Sequence, residues 1–213
     1  AIDKDIEAEN YAKKNFTSDE RFCFEKSNFS NIEFIINKHC KSRKVNGILL
    51  DLGVSSPQLD DPKRGFSFMR EGPIDMRMDI TNKMTALLWL QKADVEEISM
   101  VLKKYGEEKY SHRIAKNIKQ SIGNNSLHTT LDLSKIINNC YPKSKLGKKN
   151  PATKSFQAIR IFINNELQEL EKILNDCIDL IDKGGRLVVI SFHSLEDRIV
   201  KNFIKTHSDG KNT

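Results

Sequence analysis

The stretch Asp51–Gln58 (Asp-Leu-Gly-Val-Ser-Ser-Pro-Gln) carries side chains whose types and spacing could do chemistry. It follows Gly47–Leu50, a short apolar run that predicts a buried parallel strand. An acid at the end of a strand, followed by Gly, Ser, Ser and Pro, predicts a tight polar turn out of the sheet. Open α/β sheets bind ligands outside the carboxyl ends of their strands, so this turn is a candidate site. An ordinary β-to-α turn is the alternative that the pattern alone leaves open.

Two further polar residues follow predicted strands. Asp3 ends a strand and precedes a helix predicted over Ile6–Phe16, the position at which α/β nucleotide-binding folds bind ribose hydroxyls. A helix N-cap is the alternative interpretation of Asp3. His193 follows the strand Arg186–Phe192 and could act as a base, but a capping Ser194 with an incidental histidine is the simpler interpretation.

The elements that position these residues alternate along the first part of the chain. After the helix at Ile6–Phe16, the pattern predicts a strand over Arg21–Phe29 and a helix over Ile32–Cys40. The order strand, helix, strand, helix, strand predicts a parallel sheet and an α/β fold.

A long segment then fits neither helix nor strand periodicity. Leu59–Asp79 contains Arg64–Phe68 (Arg-Gly-Phe-Ser-Phe) and Gly72–Asp79 (Gly-Pro-Ile-Asp-Met-Arg-Met-Asp). Loops of this length in a compact domain are usually functional or disordered, and the aromatic and methionine content argues against disorder.

The rest of the chain is predicted to be mainly helical. Thr85–Cys140 contains three or four short amphipathic helices without an intervening strand, which indicates a helical insert. A single long helix is predicted from Pro151 to Ile181, ended by Gly184–Gly185, and its apolar stripe is interpreted as core.

Charge and cysteine content narrow the function classes. Between Val101 and Lys149 there are eleven Lys/Arg against three Asp/Glu, within a chain whose net charge is +6. Such a basic region favours nucleic acid as a partner, with a solvated lysine-rich face as the alternative. No apolar run is long enough to span a membrane, and the four scattered cysteines predict neither disulfides nor a zinc site. A reducing, cytoplasmic interior is therefore expected.

Four motifs in order resemble those of the RsmH (MraW) family, bacterial methyltransferases for the N4 amine of a cytidine in 16S ribosomal RNA. They are Asp51–Asp60, Arg64–Phe68, Gly72–Asp79 and Ser191–Arg198, and Tyr105–Glu108 and Phe156–Ile161 look like further family blocks. The resemblance covers the chain from Ala1 to about His207.

The resemblance implies an α/β enzyme dependent on S-adenosyl-L-methionine, with the Rossmann-like sheet of class I methyltransferases and an inserted all-α domain. Residues 1–79 and 151–213 would form the methyltransferase domain, and residues 80–150 the inserted substrate-recognition domain. The family's Gly-rich methionine-binding loop and the first strand have no counterpart. That strand would lie between the Asp3 strand and the Asp51 strand, so the chain is expected to be an internal piece of a longer protein.

Residue roles follow from the resemblance position by position. Asp3 would bind the ribose of the cofactor and Phe29 its adenine, while Asp51 and Gln58 would complete the pocket. Contacts to the substrate are expected from the long loop, a lysine-rich loop and the last motif: Arg64, Phe66, Phe68, Asp75, Arg77, Lys145, Lys148, Lys149 and His193.

The chemistry adds a catalytic expectation. The lone pair of a cytosine amine is delocalised into the ring, so the site must accept hydrogen bonds from its N–H groups; no metal is needed. We assign this role to the turn of Ser55, Ser56 and Pro57, with Phe66 or Phe68 packing on the base. Asp75, Arg77 and Asp79 would close the loop over the site, or form an internal ion-pair network that orders it.

The expected partner is 16S ribosomal RNA within the 30S subunit, held mainly through its phosphates. DNA is disfavoured, because the Pro-Pro-aromatic turn of DNA amino-methyltransferases is absent, and no membrane is expected; a homodimer stays open. The competing hypothesis is a non-catalytic RNA-binding remnant that lacks the glycine loop of the cofactor site.

Overall fold

The computed structural model describes residues 1–40, 44–142 and 150–208. The chain divides into two compact units. The first consists of Ala1–Gly53 together with Asn165–Thr213, and the second of Val54–Asn164. The division into domains at residues 79 and 150, which rests on the resemblance, stays a prediction.

The N-terminal part of the first unit alternates short strands with helices. Its elements are β1 (Ile2–Asp3), α1 (Ile6–Phe16), β2 (Glu25–Lys26), α2 (Ile32–His39) and β3 (Val45–Asp51). The order of elements is as predicted, and α1 has the predicted bounds. The strand predicted over Arg21–Phe29 is wrong in length, because a turn closed by Phe22 N–H and Asp19 C=O precedes it and a 3-10 turn begins at Phe29.

The strands of the first unit form two parallel pairs. β1 pairs with β2, and β3 pairs with β4 (Ile181–Ile190). Within the described residues the two pairs belong to separate two-stranded sheets. Both pairs are parallel, as expected for a Rossmann-like fold.

The C-terminal part of the first unit adds α9 (Glu166–Leu180), β4 and α10 (Ser194–Ser208). Helix α9 packs against α2, α10 and β4. Their apolar faces build one core with alternate residues of β3. Its buried members are Ile32, Ile36, Ile48, Leu50, Leu52, Leu170, Ile173, Leu174, Cys177 and Leu180.

The single helix predicted from Pro151 to Ile181 is wrong. The structure has α8 (Ala152–Asn164) and α9, separated by Asn165 in the left-handed conformation at φ 52°. Asparagine is one of the few non-glycine residues that tolerate this conformation, and the apolar stripe continues on both sides of it. The sequence pattern therefore conceals the break.

The strand predicted over Arg186–Phe192 begins earlier, at Ile181, and ends at Ile190. The register passes from Val45↔Ile181 to Gly47↔Arg186, so the intervening residues of β4 bulge out. The pair Gly184–Gly185 lies in this bulge, where Gly184 has a left-handed φ of 84°. It does not end a helix, because α9 already ends at Leu180.

The second unit contains the helical insert. Its helices are α3 (Ser56–Asp60), α4 (Ala86–Lys92), α5 (Val95–Gly106), α6 (Ser111–Gly123), α7 (Thr130–Asn138) and α8. The side chains of Thr85, Asp94 and Thr129 cap three of these helices at their N-termini. Helix α8 packs against α4, α5 and α7, so the predicted insert of short amphipathic helices is confirmed.

Among the helices in the described ranges, none combines the length and the apolar content needed to cross a membrane. The four cysteines are free thiols in the structure.

Candidate active site

Asp3 lies at the carboxyl end of β1, where the sequence predicted it. Its Oδ1 accepts a hydrogen bond of 2.8 Å from the backbone N–H of Asp5. Asp5 is the residue that caps α1, because its carboxylate accepts from Glu7 N–H at 3.0 Å. Asp3 is thus not the N-cap and its residue surface stays open to solvent. Although the residue is exposed, the surrounding protein partly desolvates its carboxyl; this desolvation and, to a smaller degree, repulsion from Asp5 raise the pKa of Asp3 above its ordinary value.

Phe29 begins the 3-10 turn that follows β2. Its half-buried ring packs against the core of the first unit. The turn is held in place by Lys172 on α9, whose ammonium donates a 2.7 Å hydrogen bond to the carbonyl of Ser30. Asp3 is the last residue of β1, and Phe29 comes shortly after β2, the strand that is hydrogen-bonded to β1.

Asp51 is the last residue of β3 and lies opposite Ile190 on β4. Its side chain is exposed, while Leu50 and Leu52 on either side are buried. Gly53 follows with a φ of 92°, a conformation that permits the sharp exit of the chain from the sheet. The predicted strand-to-turn geometry around Asp51 is confirmed.

His193 follows β4 and begins α10 in a way that sequence reasoning missed. The His193 Nδ1 accepts from Glu196 N–H at 3.3 Å, and Glu196 Oε2 accepts from Phe192 N–H at 2.9 Å. The two side chains act as a capping box, so the expectation that Ser194 caps the helix is wrong. His193 Nε2 is buried and lies 3.1 Å from Glu196 Oε1, without the alignment of a hydrogen bond. A helix-start role thus accounts for the observed contacts of His193.

In the second unit, Ser55 and Gln58 hold each other in a capping box at the start of α3. Gln58 N–H donates to Ser55 Oγ at 3.4 Å, and Ser55 N–H donates to Gln58 Oε1 at 3.0 Å. Gln58 is buried, whereas Ser56 and Pro57 are exposed. The sequence contains the signal for this helix, Ser-x-x-Gln with a proline in the first turn.

The segment after α3 is ordered by its own polar groups. Arg64 is buried, and its Nη2 donates to the carbonyls of Arg77 and Met78, each at 3.1 Å. Gly65 has a φ of 72°, and a Cβ there would overlap the carbonyl of Pro73. The chain from Arg64 to Met78 is therefore folded back on itself with little room for larger side chains.

The motif Gly72–Asp79 alternates buried and partly exposed residues. Ile74, Met76 and Met78 are buried, while the residues between them face outward. Asp75 and Arg77 form a bidentate ion pair at 2.6 and 2.7 Å. The hydrogen bonds that Arg77 donates to Asp75 raise the pKa of Arg77. Of the ion-pair network that the sequence offered as one of two alternatives for Asp75, Arg77 and Asp79, the structure shows the Asp75–Arg77 pair.

Asn164, the last residue of α8, is a positioning residue that sequence reasoning missed. Its Oδ1 accepts from Met78 N–H at 2.7 Å, and its Nδ2 donates to the carbonyls of Met76 at 2.7 Å and Arg160 at 2.9 Å. Asn164 therefore fixes the backbone of the Gly72–Asp79 motif from a position 86 residues away in the chain.

The two aromatic candidates of the loop are already packed. Phe66 is buried, with the Arg64 guanidinium 5.8 Å from its ring centroid. Phe68 packs edge-on against Phe156 at a centroid distance of 5.0 Å. Stacking of either ring on a base would need a rearrangement of these contacts. The substrate residues predicted in the lysine-rich loop, Lys145, Lys148 and Lys149, lie outside the described residues.

The described chemistry suits a nucleoside ligand. In the first unit Asp3 ends β1, Phe29 follows its partner strand β2, and Asp51 ends β3, which belongs to the other strand pair. Carboxylates can accept hydrogen bonds from sugar hydroxyls and aromatic rings can pack against bases, so the types of these side chains are compatible with a nucleoside ligand.

Comparisons with known proteins cover the whole chain. A family model described as the MraW methylase family matches residues 1–213. A relative from Hamiltonella defensa subsp. Acyrthosiphon pisum (strain 5AT), named "Ribosomal RNA small subunit methyltransferase H", is 50% identical over 210 residues, which are 99% of this chain and 67% of the relative. A relative of the same name from Ruthia magnifica subsp. Calyptogena magnifica is 51% identical over 212 residues, which are 100% of this chain and 68% of the relative. A third, from Legionella pneumophila (strain Paris), is 49% identical over 210 residues, with 99% and 68% covered.

Proposed function

The chain belongs to the MraW methylase family, and from this membership we propose that it methylates RNA of the small ribosomal subunit. The observation that carries the proposal is the match over residues 1–213, together with relatives of that printed function at about half identity. The α/β fold with parallel strand pairs and inserted helices is the Rossmann-like fold expected of such an enzyme.

The proposed methyl donor is S-adenosyl-L-methionine, whose sulfonium supplies an activated methyl group. Asp3 would accept hydrogen bonds from the ribose, and Phe29 would pack on the adenine. Asp51 and Gln58 would complete the contacts to the cofactor. The position of Asp3, Phe29 and Asp51 after successive strands of the first unit supports these roles.

The proposed target is the N4 amine of a cytidine in the decoding centre of 16S ribosomal RNA. This amine becomes nucleophilic when its N–H groups donate to acceptors that draw the lone pair out of the ring. Ser55 or Ser56, with neighbouring backbone carbonyls, would accept these bonds, and Pro57 would hold the turn. The capping box of Ser55 and Gln58 supports this proposal, because it fixes the backbone conformation from which the acceptors project.

The remaining predicted residues divide into two kinds. Arg64, Phe66 and Asp75 make contacts that order the loop. We therefore propose that they affect substrate binding indirectly, by fixing the conformation of the loop. Arg77, Phe68, His193 and the lysines of the 143–149 segment stay proposed contacts for the flipped cytidine or for RNA phosphates.

The test is a methyl-transfer assay with the 213-residue chain. Small ribosomal subunits that lack the modification are incubated with labelled S-adenosyl-L-methionine, and the RNA is digested to nucleosides for mass spectrometry. N4-methylcytidine is the expected product. Methylation of a different base would contradict the proposed target, and RNA binding without transfer would favour the non-catalytic alternative.

Replacing Asp51 tests the cofactor site. Asp51→Asn removes a charged acceptor, and we expect about 10- to 100-fold weaker binding of S-adenosylhomocysteine by calorimetry. Asp179→Asn, at an exposed position of α9 in the same unit, is the matched control and should bind normally. Equal affinities for both variants would remove Asp51 from the proposed pocket.

A further inference from the structure

Three potential metal ligands meet at the opposite end of β2 from Phe29. Cys23 lies just before β2, Glu25 is its first residue, and His39 is the last residue of α2. Cys23 Sγ is 3.5 Å from His39 Nδ1 and 3.8 Å from Nε2, and His39 Nε2 is 2.5 Å from Glu25 Oε1. One ligand atom from each residue lies within 4.8 Å of the others. These residues take no part in the proposed methyl transfer.

The distances fit the coordination of one small cation. Zinc binds sulfur at about 2.3 Å and nitrogen at about 2.0 Å in tetrahedral geometry, so ligand atoms around it are separated by roughly 3.5 Å. His39 Nε2, the nitrogen beside the carboxylate, is 3.8 Å from the thiol, which is close to this value. The carboxylate, now 2.5 Å from Nε2, must withdraw by less than about 1 Å. Thiolate, imidazole and carboxylate together favour zinc over magnesium or calcium, which prefer oxygen ligands.

The backbone holds these ligands in place before any cation binds. Pairing of β2 with the start of the chain fixes the strand, because Ala1 N–H donates to the Cys23 carbonyl at 2.6 Å and Glu25 N–H donates to the Ala1 carbonyl at 3.0 Å. Cys23 and Glu25 are two residues apart and so project to the same side of the strand. His39 is fixed at the end of α2, where Cys40 N–H closes the last turn on Ile36 C=O at 2.7 Å.

We infer that Cys23, Glu25 and His39 form a binding site for a zinc-class divalent cation, with solvent in the fourth position. Binding releases the thiol proton of Cys23 to solvent and joins the end of α2 to the start of β2. The cysteine spacing predicted no zinc site, because the histidine is 14 residues from Glu25 and joins the set only through the fold.

Lys38 makes the inference sharply testable. Its ammonium lies 2.5 Å from Glu25 Oε1, with half of the side chain in solvent. A bound cation would displace the Lys38 ammonium from this oxygen. Removing Lys38 should therefore strengthen cation binding, while removing any of the three ligands should weaken it.

The experiment is a titration of the chelator-treated 213-residue chain with Co²⁺, a spectroscopic substitute for zinc, in the presence of a phosphine reductant. A sulfur-to-cobalt charge-transfer band should saturate at one ion per chain, and Zn²⁺ should displace it. Cys23→Ser should abolish the band. Glu25→Gln and His39→Gln should each weaken binding by at least about 10- to 100-fold. That is the loss expected when a residue that hydrogen-bonds to a metal ligand is replaced, and loss of a ligand itself should cost no less. Lys38→Gln should tighten it.

Two control variants distinguish this site from nonspecific binding of the cation to other cysteine and histidine side chains. Cys40→Ser removes the thiol next to His39, and His112→Gln removes a comparable exposed histidine, which lies 3.3 Å from Glu96. Neither should change the cobalt spectrum or the affinity. A band that persists in Cys23→Ser, a loss in Cys40→Ser or His112→Gln, or weaker binding in Lys38→Gln would overturn the inference. Circular dichroism of each cation-free variant shows whether it has the wild-type fold, and zinc should raise the Tm only where the three ligands are intact.

Discussion

At the scale of single residues, the same type of side chain has different environments in the first unit. Asp5 is buried and serves as a helix cap, whereas Asp3, two residues earlier, keeps an exposed surface at the end of β1. Asp19 is partly exposed and pairs with Arg21 at 2.7 Å. Partial desolvation of its carboxyl raises the pKa of Asp3, and the hydrogen bond from Arg21 lowers the pKa of Asp19. Ionisation of Asp3 is therefore expected to destabilise the fold, whereas ionisation of Asp19 is expected to stabilise it.

We expect Asp3→Asn to raise the Tm at neutral pH while weakening cofactor binding. A carboxyl whose pKa is raised by folding binds its proton more tightly in the folded state, so its ionisation destabilises the fold. The amide keeps the acceptor for Asp5 N–H without the charge. The Tm gain should shrink as the pH falls through the raised pKa toward the ordinary value of 3.8.

Thermal melts of wild type and Asp3→Asn across this pH range measure the effect. Asp19→Asn is the control of opposite sign, because the lowered pKa of Asp19 makes its ionised form stabilising above 3.8. Its Tm should be unchanged or slightly lower than that of wild type at neutral pH. A lower Tm for Asp3→Asn at pH 7 would contradict the assigned cause of its pKa shift.

At the scale of elements, the principal difference from the sequence prediction is the break between α8 and α9. The side chain of Asn164 ends α8 by binding Arg160 C=O and the loop carbonyl of Met76, and Asn165 then takes a left-handed conformation. The loop motif Gly72–Asp79 thus depends on the last residue of α8, which binds the backbone of Met76 and Met78.

We expect Asn165→Gly to be tolerated and Asn165→Ala to lower the free energy of unfolding by about 1–2 kcal/mol. A left-handed residue with a Cβ costs about this much unless its side chain compensates, and glycine avoids the cost. Urea denaturation of both variants measures the difference.

Asn15→Ala is a suitable control, since Asn15 lies within α1 in an ordinary helical conformation. Its stability should change by less than about 1 kcal/mol, because alanine favours the helix interior and the side chain is exposed. If Asn165→Ala were as stable as Asn165→Gly, the left-handed conformation would not be what holds the break open.

At the scale of the whole molecule, positive charge is concentrated in one region of the chain. Between Val101 and Lys149 there are eleven Lys/Arg and only three Asp/Glu, so this region alone carries more positive charge than the net +6 of all 213 residues. Among the described residues of this basic region, Lys103, Lys109, Arg113 and Lys116 are exposed. They belong to the second unit, whose helices present them to solvent.

We expect the affinity for 16S ribosomal RNA to fall linearly with salt concentration on logarithmic axes. Replacing Lys109 and Lys116 by glutamate should reduce the slope by about 1 for each lysine that contacts a phosphate, and should weaken binding most at low salt. Filter binding or fluorescence anisotropy over a range of salt concentrations measures both quantities.

The double variant Lys14→Glu and Lys205→Glu changes the net charge equally in the first unit and is the control. A slope that responds equally to both double variants would show that net charge alone, and not the basic region, attracts the RNA.

Contiguous residues largely determined the secondary structure and its order. Apolar residues recur with a visible pattern in three segments of the sequence. These are the helix at Ile6–Phe16, the strand that leads to Asp51 and the insert of short helices. The same holds for the ends of strands, because an acid or glycine after an apolar run marks the exit from a sheet. The candidate residues Asp3 and Asp51 could therefore be placed at strand ends from the sequence alone.

Tertiary structure decided which polar side chains already have partners. Arg64 binds carbonyls 13 and 14 residues away, and Asn164 binds Met76 and Met78, which are 88 and 86 residues away. Cys23, Glu25 and His39 likewise meet only when α2 folds back beside β2. Hydrogen bonds and metal ligation act over about 2–3.5 Å in space, whatever the separation in sequence. Periodicity reports which face of an element is apolar, but only the packed fold brings those atoms within that distance.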